Sequence, residues 1–427
     1  MNSPRRLPRT AAGPRRRWLG DATVAVAGAG LHAAGFGPVV AAHADQLRRE
    51  ERSMILLWLA GGPSQFETFS PKPGTEPGGP TAAIETAVPG VRVAEHWPRV
   101  AAALDRFAVV RSMTGKEADH TRASYQSHTG FRPVPSVRHP GFGARVVHQR
   151  NRAGGDLPGS VAVGSAFRTD EGRSATFLGT AYDPMKMRTA GRLPDEMRPS
   201  TTADELRRRD ALRRDLQQAL AVGDTSGHDG LYDAAINLTL SKRLDAFSVE
   251  GEPRSVRTAY GETPFGDGCL MARRLVERGV TFVEVVSDGW DTHADGFGRV
   301  ASLAPPVDRA VAALVDDLEA RGMLEKTLVV VAGEFGRTPK ITNAAGRNHF
   351  PKAYNVLLAG GGVRGGQVIG ETSAGGHEVT DRPVTITDLL RSCCHSLGID
   401  ADREIWSPSG RPFKTVDDGA VVTELFS

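Results

Sequence analysis

Five short polar clusters carry the residues of this chain best suited to chemistry. Ser64 and Glu67 stand in GPSQFETF, and Asp119, His120 and Thr121 in EADHTR. Asp288, Asp291 and His293 stand in SDGWDTH, Glu334 and Arg337 in GEFGRT, and His349 in GRNHF. Carboxylates and imidazoles without thiolate suit a divalent metal, and Zn, Mn, Mg and Ca all accept such donors. Two such ions side by side would polarise a phosphoryl or sulfuryl oxygen and favour in-line attack on it. Taken singly, each cluster also reads as a turn, a surface ion pair or a helix cap. What gives them weight is where they fall.

They fall after apolar runs. Met54–Ala60 is continuous, apolar and of strand length, and Gly61-Gly62-Pro63 stops it. FAVVRSM, VTFVEVV and TLVVVAG behave in the same way, each ahead of one of the clusters. Runs apolar on both faces suit central strands of a covered sheet. Between them lie helical patterns: Arg122–His128, Phe142–Arg150, FGDGCLMARRLVERG, LAPPVDRAVAALVDDLEARG and ITDLLRSCCHSLG. The alternation predicts an α/β domain with a mainly parallel central sheet and helices on both faces. Ligand sites in such folds lie off the carboxyl ends of the strands, where the clusters stand. Residues from about 200 to 250 form a helical insertion, whose dense arginines read as a solvated face. AGGGVRGGQVIG reads as a glycine-rich turn into a short strand, with no helix behind it to cradle phosphate. There is no GxSxG elbow and no P-loop.

The first 44 residues read as a twin-arginine-type export signal. Arg15-Arg16 and Arg17-Trp18-Leu19 precede a weakly apolar Gly/Ala stretch that closes on Ala42-His43-Ala44. The functional domain is then a single unit, 45–427, in an exported, periplasmic or extracytoplasmic protein. Of the formal net charge of +3, much comes from Arg5, Arg6, Arg9, Arg15, Arg16 and Arg17. The remainder is near neutral, which argues against a nucleic-acid partner. No membrane span is expected in the mature chain, because no later segment is long and apolar enough. The three cysteines, Cys269, Cys393 and Cys394, make no disulfide framework.

LLWLAGGPSQFETFSPKPG, FAVVRSM, YQSHTGFRP, FLGTAYDP, ARRLVERGVTFVEV, GWDTH, DDLEARGMLEKTLVVVAGEFGRTPKI and GRNHFP resemble the domain of unknown function (DUF) 1501 family over essentially the whole mature chain. That family commonly carries twin-arginine signals and is similar in fold to the alkaline phosphatase and sulfatase superfamily. The resemblance implies Glu67, Asp291, His293, Glu334 and His349 as metal ligands. It places Thr121 as the attacking hydroxyl, with a metal-bound water as the alternative, and His120 as a metal or proton ligand; Arg337, whose planar fork suits an oxyanion, is expected to face the developing anionic charge. Two departures matter. The cysteine that becomes formylglycine in sulfatases is absent, and Phe335 stands where a two-zinc phosphatase has histidine. The expected activity is metal-dependent hydrolysis of phosphate or sulfate esters, on a small anionic ester or a sulfated or phosphorylated glycan. The alternative is a non-catalytic extracytoplasmic binding or scaffold protein, for an anionic glycan or a protein partner.

Overall fold

The computed structural model describes residues 52–427 apart from 151–154, 165–171 and 221–225. The export signal expected at 1–44 lies outside the described residues. All those described belong to one compact unit, Glu51–Ser427.

Nine strands form the central sheet. They are β1 (Ser53–Leu59), β2 (Phe107–Thr114), β3 (Ser160–Val163), β4 (Met185–Met187), β5 (Phe282–Ser287), β6 (Thr327–Ala332), β7 (Tyr354–Ala359), β8 (Gln367–Ile369) and β9 (Val384–Thr385). The order is β8-β2-β7-β6-β1-β5-β3-β4, with β9 also on β2. Only β7 runs against its neighbours, pairing antiparallel with both β2 and β6. The sheet is therefore mainly parallel, and the glycine-rich turn does feed a short strand, β8. Leu57 lies level with Val285 on one side and Val331 on the other.

Side-chain alternation explains the unbroken apolar runs. Ile55, Leu57 and Leu59 enter one core, with α3 (Pro264–Glu277) and α4 (Gly296–Ala320). Met54, Leu56 and Trp58 enter a second core on the other face, with α2 (Phe142–Gln149) and α5 (Ile386–Leu397). Both faces of the sheet are covered, so neither half of a strand can be polar without a partner. Glu284 on β5 is the exception that has one. It meets Arg173 Nε at 2.9 and 3.1 Å and His128 Nε2 at 3.2 Å, deep in the second core.

α4 starts earlier than the sequence pattern suggests and runs through Pro305 and Pro306. A helix-interior proline costs about 3 kcal/mol relative to alanine. Val300 and Ala304, both buried in the first core, tie down the turn ahead of the prolines. The region from about 200 to 250 contains the expected helix, Ala203–Ala219, and a second, Ser226–Leu240. The three cysteines are free and buried, and burial pushes their thiols up, Cys394 to about 12.

Four connections carry the polar clusters to one edge of the sheet. β1 ends in the Gly61-Gly62 turn, and β2 leads to α1 (His120–Thr129). β5 leads to the loop holding Asp291 and His293. β6 leads to Glu334 and then to a hairpin, Gly336–Ile341 with Arg347–Phe350, in which His349 lies opposite Arg337.

Candidate metal centre

α1 is capped by Asp119, whose carboxylate accepts from the Arg122 amide at 3.1 Å. The cap fixes the first turn and holds His120 at the mouth of the sheet. His120 Nδ1 lies 2.7 Å from Glu334 Oε1, and its Nε2 lies 3.3 Å from Asp291 Oδ1. The same carboxylate oxygen lies 3.1 Å from His293 Nε2 and 3.4 Å from His349 Nε2. His293 Nε2 and His349 Nε2 are 2.9 Å apart. One ligand atom from each of His120, Asp291, His293 and His349 thus lies within 4.8 Å of the other three.

The outer nitrogens explain why the inner ones converge. Each Nδ1 faces an acceptor: Glu334 for His120, Asn348 Oδ1 at 3.2 Å for His293, and the Ala118 carbonyl at 2.6 Å for His349. With Nδ1–H donating outward, each Nε2 points a lone pair at the centre. This is how protein imidazoles are oriented for a metal. Two Nε2 lone pairs 2.9 Å apart repel unless a cation or proton lies between them. His120 Nε2 and Glu334 Oε2 are also buried without a hydrogen-bond partner. Tetrahedral ligands at zinc–nitrogen distances of about 2.0–2.1 Å are about 3.3 Å apart, close to the distances of the three Nε2 atoms from Asp291 Oδ1. The residues fit a single divalent ion.

The electrostatics separate the members. Asp291 loses some charge stability to burial. The hydrogen bond and charge of Arg337, then His120 and His293, outweigh this and hold its carboxyl at about 2. The Glu334 hydrogen bond raises the His120 pKa above its ordinary value, against burial. Burial lowers that of His349, and the nearby His120 and Arg337 add to the effect.

The sequence candidates do not all meet. Glu67 lies outside the group: its Oε1 is 2.9 Å from the buried Arg347 guanidinium and 3.4 Å from Thr81 Oγ1. Glu334 stands behind the group rather than in it, accepting from His120 and, at 2.9 Å, from the Gly61 amide. Arg337 is fully buried, and each of its nitrogens donates within the chain. The partners are the carbonyls of Gly61, Gly62 and Arg347 and, at 2.6 Å, Asp291 Oδ1. Its contacts hold Asp291 rather than face an open site. Thr121 is exposed in the first turn of α1, next to His120. Phe335 is buried and forms one wall, with its ring centroid 4.9 Å from that of His120 and 4.5 Å from that of His349.

The support beneath the group carries no local signal in the sequence. Gly61 has φ +116°, and a Cβ there would collide with the Asp291 amide. Only glycine lets this turn donate to Glu334 and accept from Arg337 while touching the Asp291 loop. Gly62, at φ +71°, has the Phe335 ring where its Cβ would be. Asn348 was also missed, although it directly precedes a candidate histidine in GRNHF.

A family model described as "Protein of unknown function (DUF1501)" matches residues 51–426. The chain belongs to the DUF1501 family. No curated protein matches it. Among solved structures, this DUF1501 chain is similar to the phosphonate monoester hydrolase of Agrobacterium radiobacter, at 12% identity and TM-score 0.41, over 88% of this chain and 77% of that one. It is also similar to the PsFucS1 sulfatase from Pseudoalteromonas sp., at 12% identity and TM-score 0.41, over 83% and 70%. A third is the C-terminal periplasmic domain of EcEptC from Escherichia coli in complex with Zn, at 9% identity and TM-score 0.38, over 88% and 95%.

Proposed function

We propose that this DUF1501 protein is an exported, metal-dependent hydrolase of phosphate or sulfate esters, built around one divalent ion. The observation that carries the reading is the convergence of three imidazole Nε2 atoms on Asp291 Oδ1, each ring held from behind. His120, Asp291, His293 and His349 would hold the ion. Three imidazoles favour zinc over magnesium or calcium, which take mainly oxygen ligands. When bound, the ion would polarise an ester oxygen and offset negative charge in the transition state.

The chain's own residues supply the rest. Glu334, Asn348 and the Ala118 carbonyl fix the rings, and Arg337 fixes Asp291. The amino-terminal end of α1 carries partial positive charge, which favours an anionic substrate beside Thr121. Thr121 offers the hydroxyl for attack. Glu67 is not proposed as a ligand, because Arg347 neutralises it, so a second ion has no carboxylate there. The twin-arginine-type signal supports export, and no described helix is long and apolar enough to cross a membrane.

The test is the zinc content of purified protein, followed by hydrolysis of aryl phosphate and aryl sulfate. About one ion per chain with metal-dependent turnover of either ester is expected. Metal-free protein that takes up no added zinc would overturn the reading. A second reading, an extracytoplasmic protein that binds an anionic glycan or a protein partner without turnover, is favoured by one observation. The arginine expected to meet an oxyanion, Arg337, already donates from every nitrogen to the protein itself. Metal-loaded protein that retains a sulfated glycan but turns over neither ester, with retention unchanged by Thr121→Ala, would favour it.

A further inference from the structure

The helical insertion exposes apolar surface where the rest of the chain hides it. Among the described residues, seven large hydrophobic side chains stand well exposed, and five are on this hairpin. Leu212, Leu216 and Leu220 are 58%, 53% and 73% exposed, and Leu231 and Tyr232 lie on the second helix. The three leucines recur every four residues, so they form one stripe. That spacing marks a helix face built to be covered.

The stripe is not what holds the hairpin together. Arg213 Nη1 reaches Asp229 at 2.6 Å, Arg214 reaches Asp233, and the Arg213 guanidinium lies 4.1 Å from the Tyr232 ring centroid. Ion pairs and a cation–π contact join the two helices, and the leucines are left facing outward.

We infer that this leucine stripe is a two-fold interface between copies of the chain, centred on Leu212. The charges beside the stripe favour a second copy over other partners. At about 100° per residue, Arg208 and Asp215 fall about 40° and 60° to the same side of Leu212. Arg208 lies about 6 Å before it along the axis and Asp215 about 4.5 Å after it. A two-fold axis through Leu212, perpendicular to the helix, runs the helices antiparallel. It brings Arg208 of each copy beside Asp215 of the other, twice over. Leu216 of each copy then lies against the aliphatic stem of Arg209 from the other. Among the described residues Asp215 has no partner, and Arg208 has only Glu205, at 3.8 Å. The charges beside the stripe are thus self-complementary, as an isologous contact requires.

The test is sedimentation velocity of the whole exported protein across micromolar concentrations. A concentration-dependent dimer is expected, and Leu212→Glu, which sets two like charges together on the two-fold axis, should abolish it. Arg208→Asp alone and Asp215→Arg alone should each raise the dimer dissociation constant by about ten-fold or more, because both copies then carry a like-charge contact. Arg208→Asp with Asp215→Arg in one chain should restore it, since each copy again meets its opposite. A protein monomeric throughout, a dimer indifferent to Leu212→Glu, or a double reversal no better than the singles would overturn the inference. So would a monomer that binds phosphatidylglycerol vesicles through Leu216. Circular dichroism of each variant separates lost pairing from lost helix.

Discussion

The same two elements bring histidine and carboxylate together twice, with opposite outcomes. α1 carries His120 at its first residue and His128 near its last, and β5 carries Glu284 within it and Asp291 just beyond it. In the core the set is closed. His128 Nδ1 lies 2.7 Å from the Ser124 carbonyl, its Nε2 faces Glu284, and Arg173 grips the same carboxylate. At the sheet edge the set is open. Three Nε2 atoms face one oxygen, two of them at 2.9 Å from each other, and Glu334 Oε2 has no partner. Residue type does not separate the two regions. Each carboxylate holds a guanidinium, Arg173 on Glu284 and Arg337 on Asp291, and what separates the two regions is the number of imidazoles, one in the core and three crowded on a single oxygen at the edge. The first braces the core, and the second is the group that could hold a metal ion.

The largest expected break in that comparison is at the open set. Asp291→Ala or His349→Ala should reduce zinc content to background while the far-ultraviolet circular dichroism stays unchanged. Retention of a full equivalent of zinc by either variant would remove these residues from the centre. At the closed set, Glu284→Leu leaves Arg173 buried without its carboxylate, a loss of about 3–5 kcal/mol. Denaturant unfolding should show that loss, whereas zinc bound per folded chain should not change.

Glu334→Gln should have a smaller effect. It keeps the shape behind His120 but removes the charge that orients the ring, so zinc affinity should fall about 10–100-fold. Competition with a chelator measures this, and unchanged affinity would make Glu334 merely structural. The mildest probe is acid. Burial alone would raise the Glu284 pKa, but Arg173 and His128 outweigh it and hold the carboxyl at about 2, below its ordinary 4.5. A depressed carboxylate stabilises the fold above its unfolded value, and that stability disappears as pH falls from about 4.5 towards 2. Stability in that window should fall less steeply in Glu284→Leu than in the parent. Equal slopes would take Glu284 out of the acid response.

The parallel strands, the clusters at their carboxyl ends and the group Asp291, His293 and His349 were all legible in the sequence. Apolar runs and strand-end rules depend on local pattern. What a side chain meets across the fold does not. Glu67 follows the first strand as a ligand would, but Arg347, 280 positions away, reaches it first. Glu334 was placed at the right edge, but which of its neighbours it faces depends on the Gly61 turn. Arg337 looked suited to an oxyanion until the carbonyls of Gly61 and Gly62 took its donors. Helical spacing also announced the helix at Ala203–Ala219 without telling that its leucines stay outside.

On the reading proposed above, His120, Asp291, His293 and His349 hold one cation between them. Calorimetric titration of zinc into metal-stripped protein tests it most directly. A single site per chain is expected, one that disappears in Asp291→Ala and persists in Glu67→Gln. A protein that takes up no zinc, or one whose site is lost with Glu67 and kept without Asp291, would contradict it.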